Sequence, residues 1–159
     1  MKRYFEIAND YLAIADFANN VVIFFSDYIN NKHKSPNINP LCDNIQSMIN
    51  ANLNWSPRLY TSGAPTHFMS NPKSLLIFRN AASHSANINT HKDDVKLKQY
   101  LKGINRDVIK IKKSKRYTKK VEGSIENVRM FFSFIGDLSL SEARNHRETA
   151  KYPEFYRCL

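Results

Sequence analysis

Residues 93–113 read DDVKLKQYLKGINRDVIKIKK, and this stretch indicates an amphipathic helix. Its apolar side chains recur at steps of four and three residues, which places them on one side of a helix. Acids at the beginning of the stretch suit the N-terminal end of the helix dipole, and Gly103 weakens the helix without breaking its pattern. The members of the apolar stripe are Leu97, Leu101, Ile104, Val108 and Ile111.

The same periodicity recurs on both sides of this stretch. A long N-terminal stripe predicts a helix that ends near Asn30, and a last stripe is expected to end at Gly136 as a C-cap. Asn39-Pro40 and Asn71-Pro72 each read as a cap residue followed by proline at the first helical position. The first stripe comprises Tyr4, Ala8, Tyr11, Ala15, Ala18, Val22, Phe25 and Ile29, and the last comprises Val121, Ile125, Val128, Phe132 and Ile135.

One segment permits two interpretations. Leu75 to Phe78 is apolar enough to form a short buried strand, but no other strand candidate pairs with it convincingly. A helix that runs to about His84, with Leu75, Phe78 and Ala82 on its buried side, is therefore favoured.

These patterns together predict an all-α bundle of about five helices. The chain has 159 residues, which fits one domain, and its 4 glycines and 6 prolines provide few turns for an all-β fold. Residues 1–136 form the predicted helical domain. Residues 137–159 are expected to add a short helix and an aromatic tail packed on the same domain.

The charge of the chain indicates a polyanionic partner. Its 24 lysines and arginines exceed its 14 acids, which gives a net charge of +10. Nucleic acid is the first expectation, an anionic membrane the second and a general solubility charge the third. The longest apolar run, Val21 to Phe25, is much shorter than the roughly 20 residues that span a bilayer. We therefore expect no membrane partner.

The two cysteines predict neither a zinc finger nor a disulfide scaffold. Cys42 and Cys158 lie far apart in the sequence and form no CxxC pair. A reducing cytoplasm is therefore the expected location. Histidine, cysteine and acidic residues show no spacing typical of a metal site, so we expect no metal and no cofactor.

The most informative stretch for chemistry is residues 78–84, FRNAASH, at the end of an otherwise apolar helix. At 100° per residue, Asn80 and His84 lie about 40° apart and share a face. Arg79 lies about 140° from His84, but its long side chain can swing back. Ala81 and Ala82 keep this turn narrow, which would allow another helix to approach closely.

Arg79-Asn80-x-x-x-His84 resembles the R-x4-6-H motif of the HEPN superfamily (higher eukaryotes and prokaryotes nucleotide-binding). The resemblance covers the motif and the helix order over residues 1–136. It implies a helical bundle that acts as a homodimeric, metal-independent endoribonuclease, with Arg79, Asn80 and His84 as the catalytic residues. In certain toxins of the superfamily, a modified tyrosine stands two residues after the histidine. Here that position is Ala86, so this control has no acceptor in the expected place.

RNA carries its own nucleophile, the 2′-hydroxyl, so the site needs proton transfer and charge stabilisation. His84 is expected to transfer protons and Arg79 to hold the phosphate through its planar fork. One histidine cannot easily act as both base and acid, whereas two copies across a dimer axis can. By family analogy the protein is a toxin or a phage-defence effector with a cognate antitoxin as a candidate partner. The alternative is a catalytically inactive HEPN-like RNA-binding or adaptor module.

A second signal is the basic side of residues 98–120. Lysines and an arginine step by four on the face opposite the apolar stripe, and further cations follow in a basic connector. This pattern predicts a surface that follows phosphates, although a solvated helix face with a flexible loop gives the same pattern. Tyr100 and Tyr117 are either base-stacking or partial core residues. The predicted RNA-binding residues are Lys98, Lys102, Arg106, Lys110, Lys113 and Arg116.

The remaining polar candidates are weaker. Arg144-Asn145-His146-Arg147 echoes the motif in composition, but its arginine and histidine stand too close to match it. This segment is interpreted as a polar surface turn or an accessory RNA contact. His67 and His91 are expected to approach the site from flanking loops, and His33 lies in a lysine-rich loop.

Overall fold

The fold was determined as a computed structural model, which describes residues 2–30, 37–54, 72–87, 94–114 and 117–151. Within these ranges the chain forms five helices and no strand, which confirms the all-α bundle of about five helices. The helices are α1 Lys2–Asn30, α2 Asn39–Leu53, α3 Pro72–Ser85, α4 Asp94–Lys113 and α5 Lys119–Lys151.

The two longest helices, α1 and α5, pack against each other along their length and run in opposite directions. A Cβ atom placed on Gly136 of α5 would lie 3.4 Å from the Cβ of Ala18 in α1. Further along the pair, the ring of Tyr11 stacks on that of His146. Two small residues therefore allow the close approach of these helices. Helices α3 and α4 pack on the pair, and α2 packs on α3 and α4.

The predicted apolar stripes form the core. All five members of the α4 stripe and all five members of the last stripe are buried. Phe78 of α3 is fully buried, with its ring centroid 6.0 Å from that of Phe131 and 6.4 Å from that of Phe132. In α1 the described members of the stripe are buried or half-buried; the side chains of Tyr4 and Leu75 lie outside the described residues.

Gly136 does not end the last helix, and this prediction was wrong. Helix α5 continues through Gly136 to Lys151, and the short separate helix expected after it is the C-terminal part of α5. A C-cap glycine is favoured because it can adopt a positive φ, and a glycine at a helix crossing because it is small, and the sequence alone does not distinguish the two. The aromatic tail from residue 152 lies outside the described residues.

The other helix boundaries agree with the sequence to within a residue or two. Helix α1 ends at Asn30, and α3 is a helix rather than a strand. Helix α2 begins at Asn39 with Ile38 as its N-cap, one residue earlier than expected. The capping acceptor is Asn37, whose Oδ1 accepts a hydrogen bond from the Asn39 amide at 3.1 Å.

Helix α1 also meets the length and composition condition for crossing a membrane, although its longest unbroken apolar run is short. Among the described residues one such segment exists, Phe5–Asn30. One third of its most apolar stretch of 18 residues is buried inside the bundle. A core helix of a soluble protein and a signal sequence near the N-terminus meet the same condition, so this segment does not assign a location.

Candidate functional site

Arg79 is buried at the contact between α3 and the first turn of α4. Its guanidinium donates a hydrogen bond to Oδ1 of Asp94 and forms an ion pair with it, and the arginine side chain is only 4% exposed. Oδ2 of the same carboxylate lies 3.2 Å from Nζ of Lys98, one turn further along α4. Asp94 therefore joins the motif arginine to the first cation of the basic α4 side.

The electrostatics of Asp94 follow from these contacts. Partial burial favours the neutral acid, but hydrogen bonds from Arg79 and Lys98 and their positive charges outweigh it. The pKa of Asp94 is therefore lowered, and the carboxylate is ionised at neutral pH. The role expected for Asp94 in the sequence, an acid at a helix N-terminus, is correct in position but omits this pairing with Arg79.

Asn80 is half-buried and faces α1. Its carbonyl accepts a hydrogen bond from the Ser83 hydroxyl at 2.8 Å, and its side chain is hydrogen-bonded to the hydroxyl of Tyr11. Burial and the nearby carboxylate of Glu142 raise the pKa of Tyr11, while the hydrogen bond from Asn80 opposes them. Asn80 thus ties the motif helix to the α1–α5 pair.

His84 is exposed in the last turn of α3, in contrast to Arg79. Its carbonyl accepts a hydrogen bond from the Asn87 amide at 3.1 Å. Asn87 adopts the left-handed conformation, with φ at 54°, that commonly ends a helix. The exposed imidazole is therefore accessible to a large ligand.

Ala81 and Ala82 are buried in the core of the chain itself. The narrow turn that they create allows α3 to pack closely within its own bundle. The sequence pattern alone left open whether a neighbouring or a partner helix would use this turn, and both side chains are already covered by the chain itself.

The basic side of α4 is largely exposed. Lys98 is half-buried and paired with Asp94, whereas no carboxylate in the described parts of the chain pairs with four further cations on this side. Arg116 lies outside the described residues. The four exposed cations are Lys102, Arg106, Lys110 and Lys113.

Lys112 points to a different neighbour. Its ammonium group forms an ion pair with Asp43 of α2 and donates a hydrogen bond to Oε1 of Gln46 at 3.4 Å. This lysine belongs to the α2–α4 contact. It therefore provides an internal comparison for the four exposed cations on the same helix.

The two tyrosines of the basic region are half-buried and pack on aromatic neighbours. The ring of Tyr100 lies 5.6 Å from that of Phe131, and the ring of Tyr117 lies 6.0 Å from that of Tyr28. These contacts agree with the partial-core interpretation. His33, His67 and His91 lie outside the described residues, so their expected approach to the site stays a prediction.

No group of three or more histidine, cysteine or acidic side chains among the described residues is arranged to hold a metal ion. Cys42 is a buried free thiol, and burial together with the charge of Asp43 raises its pKa to about 11. A thiol with so high a pKa carries little thiolate at neutral pH and is a poor nucleophile.

Two partners of the motif, Asp94 and Tyr11, were not identified from the sequence. Asp94 had a visible signal, because a short stretch of sequence separates the motif from the acids that begin the next helix. Tyr11 had none, since its approach to Asn80 depends on how α1 and α3 pack. Comparison with protein-family models, curated proteins and solved structures found no match.

Proposed function

We propose that this protein is a cytoplasmic, metal-independent endoribonuclease of the HEPN type, with Arg79, Asn80 and His84 as its reactive site. The observation that supports the proposal best is the contact of one carboxylate, Asp94, with both Arg79 and Lys98. Through this contact the buried motif arginine is linked to Lys98, the first cation of the basic α4 side. A role as a toxin or phage-defence effector, with a cognate antitoxin, follows from the resemblance alone.

The basic side of α4 supplies the RNA affinity in this proposal. Lys98 and Lys110 are twelve residues apart, which corresponds to about 18 Å along a helix. A row of cations of this length can follow several consecutive phosphates without reading the bases. RNA bound along the row reaches the motif at the N-terminal end of α4, where Asp94 contacts Arg79.

Cleavage then needs a base, an acid and a group that stabilises the extra negative charge on phosphorus. The exposed imidazole of His84 is the proton carrier. The Arg79 guanidinium holds the phosphate once it exchanges the carboxylate of Asp94 for a phosphate oxygen, and Asn80 keeps the motif helix in position. We further propose a homodimer that brings two copies of His84 into one cleft, and a sedimentation experiment at micromolar concentration tests it.

The decisive experiment replaces His84, because an exposed side chain can be changed without disturbing the core. His84→Ala and His84→Gln are both expected to abolish RNA cleavage while RNA affinity and the midpoint of thermal unfolding stay unchanged. Wild-type cleavage is expected to persist in EDTA, to leave a 2′,3′-cyclic phosphate and to spare DNA. Asn80→Ala is expected to lose less activity than either His84 variant, because a positioning amide contributes less than a proton carrier.

One observation favours a second candidate, an RNA-binding or adaptor module without activity. Arg79 is buried and already neutralised by Asp94, which is also the arrangement of a purely structural arginine. If the wild type binds RNA but gives no product that depends on His84, this second candidate replaces the first.

A further inference from the structure

A polar cluster surrounds Asn80 of the motif helix, and its other members, Tyr11, Glu142 and His146, have no role in the mechanism above. Glu142 and His146 stand one turn apart on α5, with Oε2 of the first 3.8 Å from Nε2 of the second. The His146 ring stacks on Tyr11 of α1, with 5.5 Å between centroids and 15° between planes. Tyr11 in turn is hydrogen-bonded to Asn80 of α3. Three helices therefore meet at these four side chains.

The cluster lies on the same side of α3 as His84. Asn80 and His84 are four residues apart, so their side chains are neighbours on one helix face. The contacts of α3 also move toward the C-terminal part of α5 as the chain proceeds. Phe78 contacts Phe131 and Phe132 in the middle of α5, whereas Asn80 reaches His146 through Tyr11. His84 follows one turn after Asn80.

The environment of His146 holds the ring in place but leaves it accessible. Its side chain is 26% exposed, so a ligand can reach it. Tyr11 fixes the plane of the ring, and Glu142 forms an ion pair with it when the imidazole is protonated. Within the described ranges, the groups that contact His146 include two titratable ones, Tyr11 from α1 and Glu142 from α5, and α3 contributes the neutral amide of Asn80 through Tyr11. A neighbouring carboxylate and a fixed ring plane are features of many histidines that transfer protons.

We infer that His146 is a second proton-transfer residue of the same active site, supplied by the same chain as His84. This inference rests on the proposed endoribonuclease function and deepens it. A single chain then carries both a base and an acid, and it does not need the His84 of a second copy for the chemistry.

With these two histidines, RNA cleavage proceeds by one proton transfer to His84 and one from His146. His84 takes the proton of the 2′-hydroxyl, and the 2′-oxygen forms a bond to phosphorus. The bond between phosphorus and the 5′-oxygen breaks, and the leaving oxygen takes a proton from His146. The products are a 2′,3′-cyclic phosphate and a 5′-hydroxyl, and exchange with water returns both imidazoles to their starting states.

The test separates the chemistry of His146 from its packing. His146→Phe keeps a flat ring against Tyr11 but cannot transfer a proton, and His146→Gln keeps a polar group without the ring. Glu148→Gln, two residues further along α5, is the matched control on an exposed position. Each variant is assayed for RNA cleavage from pH 5 to 9, for RNA affinity and for thermal unfolding, beside the wild type and His84→Ala.

We expect both His146 variants to lose at least 100-fold in kcat/KM, in line with the usual contribution of general acid–base catalysis. RNA affinity should stay unchanged, and the residual activity should lose the basic limb of the pH profile, because that limb reports deprotonation of the acid. Glu148→Gln should match the wild type. Full activity of His146→Phe with an unchanged profile would overturn the inference and leave the proposed function intact. Absence of His84-dependent cleavage by the wild type would overturn both.

Discussion

At the scale of single residues, the pair of Arg79 and Asp94 is unequal in its surroundings. The arginine side chain is 4% exposed, whereas the aspartate side chain is 43% exposed and also contacts Lys98. A buried charge that loses its partner carries a large desolvation cost, and an exposed charge is solvated by water. Removing one partner is therefore not equivalent to removing the other.

We predict that Asp94→Asn destabilises the protein more than Arg79→Met does. The first change leaves a buried guanidinium without its carboxylate and should lower the free energy of unfolding by about 2–4 kcal/mol. The second places an apolar side chain in a buried position and leaves Asp94 with Lys98, so it should cost about 1 kcal/mol. Urea unfolding at pH 7 measures both, and equal costs would contradict the prediction.

A control variant and a series of pH values complete this measurement of unfolding. Glu126→Gln removes a half-exposed ion pair with Arg129 and should cost less than about 0.5 kcal/mol. Because the folded state lowers the pKa of Asp94, its stabilising effect is present above the unfolded pKa of about 3.9 and is lost as the pH falls through the lower folded value. The difference between wild type and Asp94→Asn should therefore shrink below about pH 4.

At the scale of secondary-structure elements, the sequence predicts which segments are helical and which sides are buried. The α4 stripe from Leu97 to Ile111 is buried at every predicted position, because a 3.6-residue period is a local property. What the sequence could not reveal is which helix each side contacts. Gly136 illustrates the limit: its role depends on Ala18, more than a hundred residues away in the chain.

The candidate site has the same limit. The motif itself was visible in the sequence, and so was the exposed side of α4 from its steps of four. The partners of Arg79 and Asn80 were not identified, because Asp94 and Tyr11 reach them through packing between helices. Residues of a site that lie on one element are thus predictable from spacing, whereas residues contributed by other elements require the fold.

Two glycines within helices test the packing directly. A Cβ on Gly103 of α4 would meet no atom within 4 Å, whereas a Cβ on Gly136 of α5 would contact Ala18 at 3.4 Å. We predict that Gly103→Ala raises the free energy of unfolding by about 1 kcal/mol, which is the difference in helix propensity. Gly136→Ala should raise the free energy of unfolding by less than this amount.

Valine at the same two positions gives a larger expected difference in stability between Gly103 and Gly136. Gly136→Val should destabilise the protein, because the branched side chain would force α1 and α5 apart, while Gly103→Val should stay near the wild type. Denaturant unfolding of the four variants measures the differences. A stabilising effect of Gly136→Val would contradict the close approach of α1 and α5.

At the scale of the whole molecule, only some of the positive charges that the structure describes are paired with carboxylates of the same chain. Lys98 and Lys112 are each paired with a carboxylate, and Lys112 joins α4 to α2. Lys102, Arg106, Lys110 and Lys113 are exposed along the same helix, and no carboxylate in the described ranges pairs with them. The net charge of +10 therefore includes cations already neutralised within the fold and cations open to a polyanion.

This difference predicts which cations set the salt dependence of RNA binding. Each phosphate contact contributes about −0.7 to the slope of log affinity against log salt for single-stranded RNA. Replacing Lys102, Arg106 and Lys110 by glutamine should reduce the magnitude of the slope by about 2. Lys112→Gln removes one positive charge from the same helix, but from an intramolecular ion pair, so it should leave the slope unchanged. Binding to a short single-stranded RNA across a salt series measures both. If the triple variant keeps the wild-type slope, the α4 cations are a solvated surface; if Lys112→Gln lowers the slope as much per charge, RNA responds to the net charge of the molecule rather than to this face.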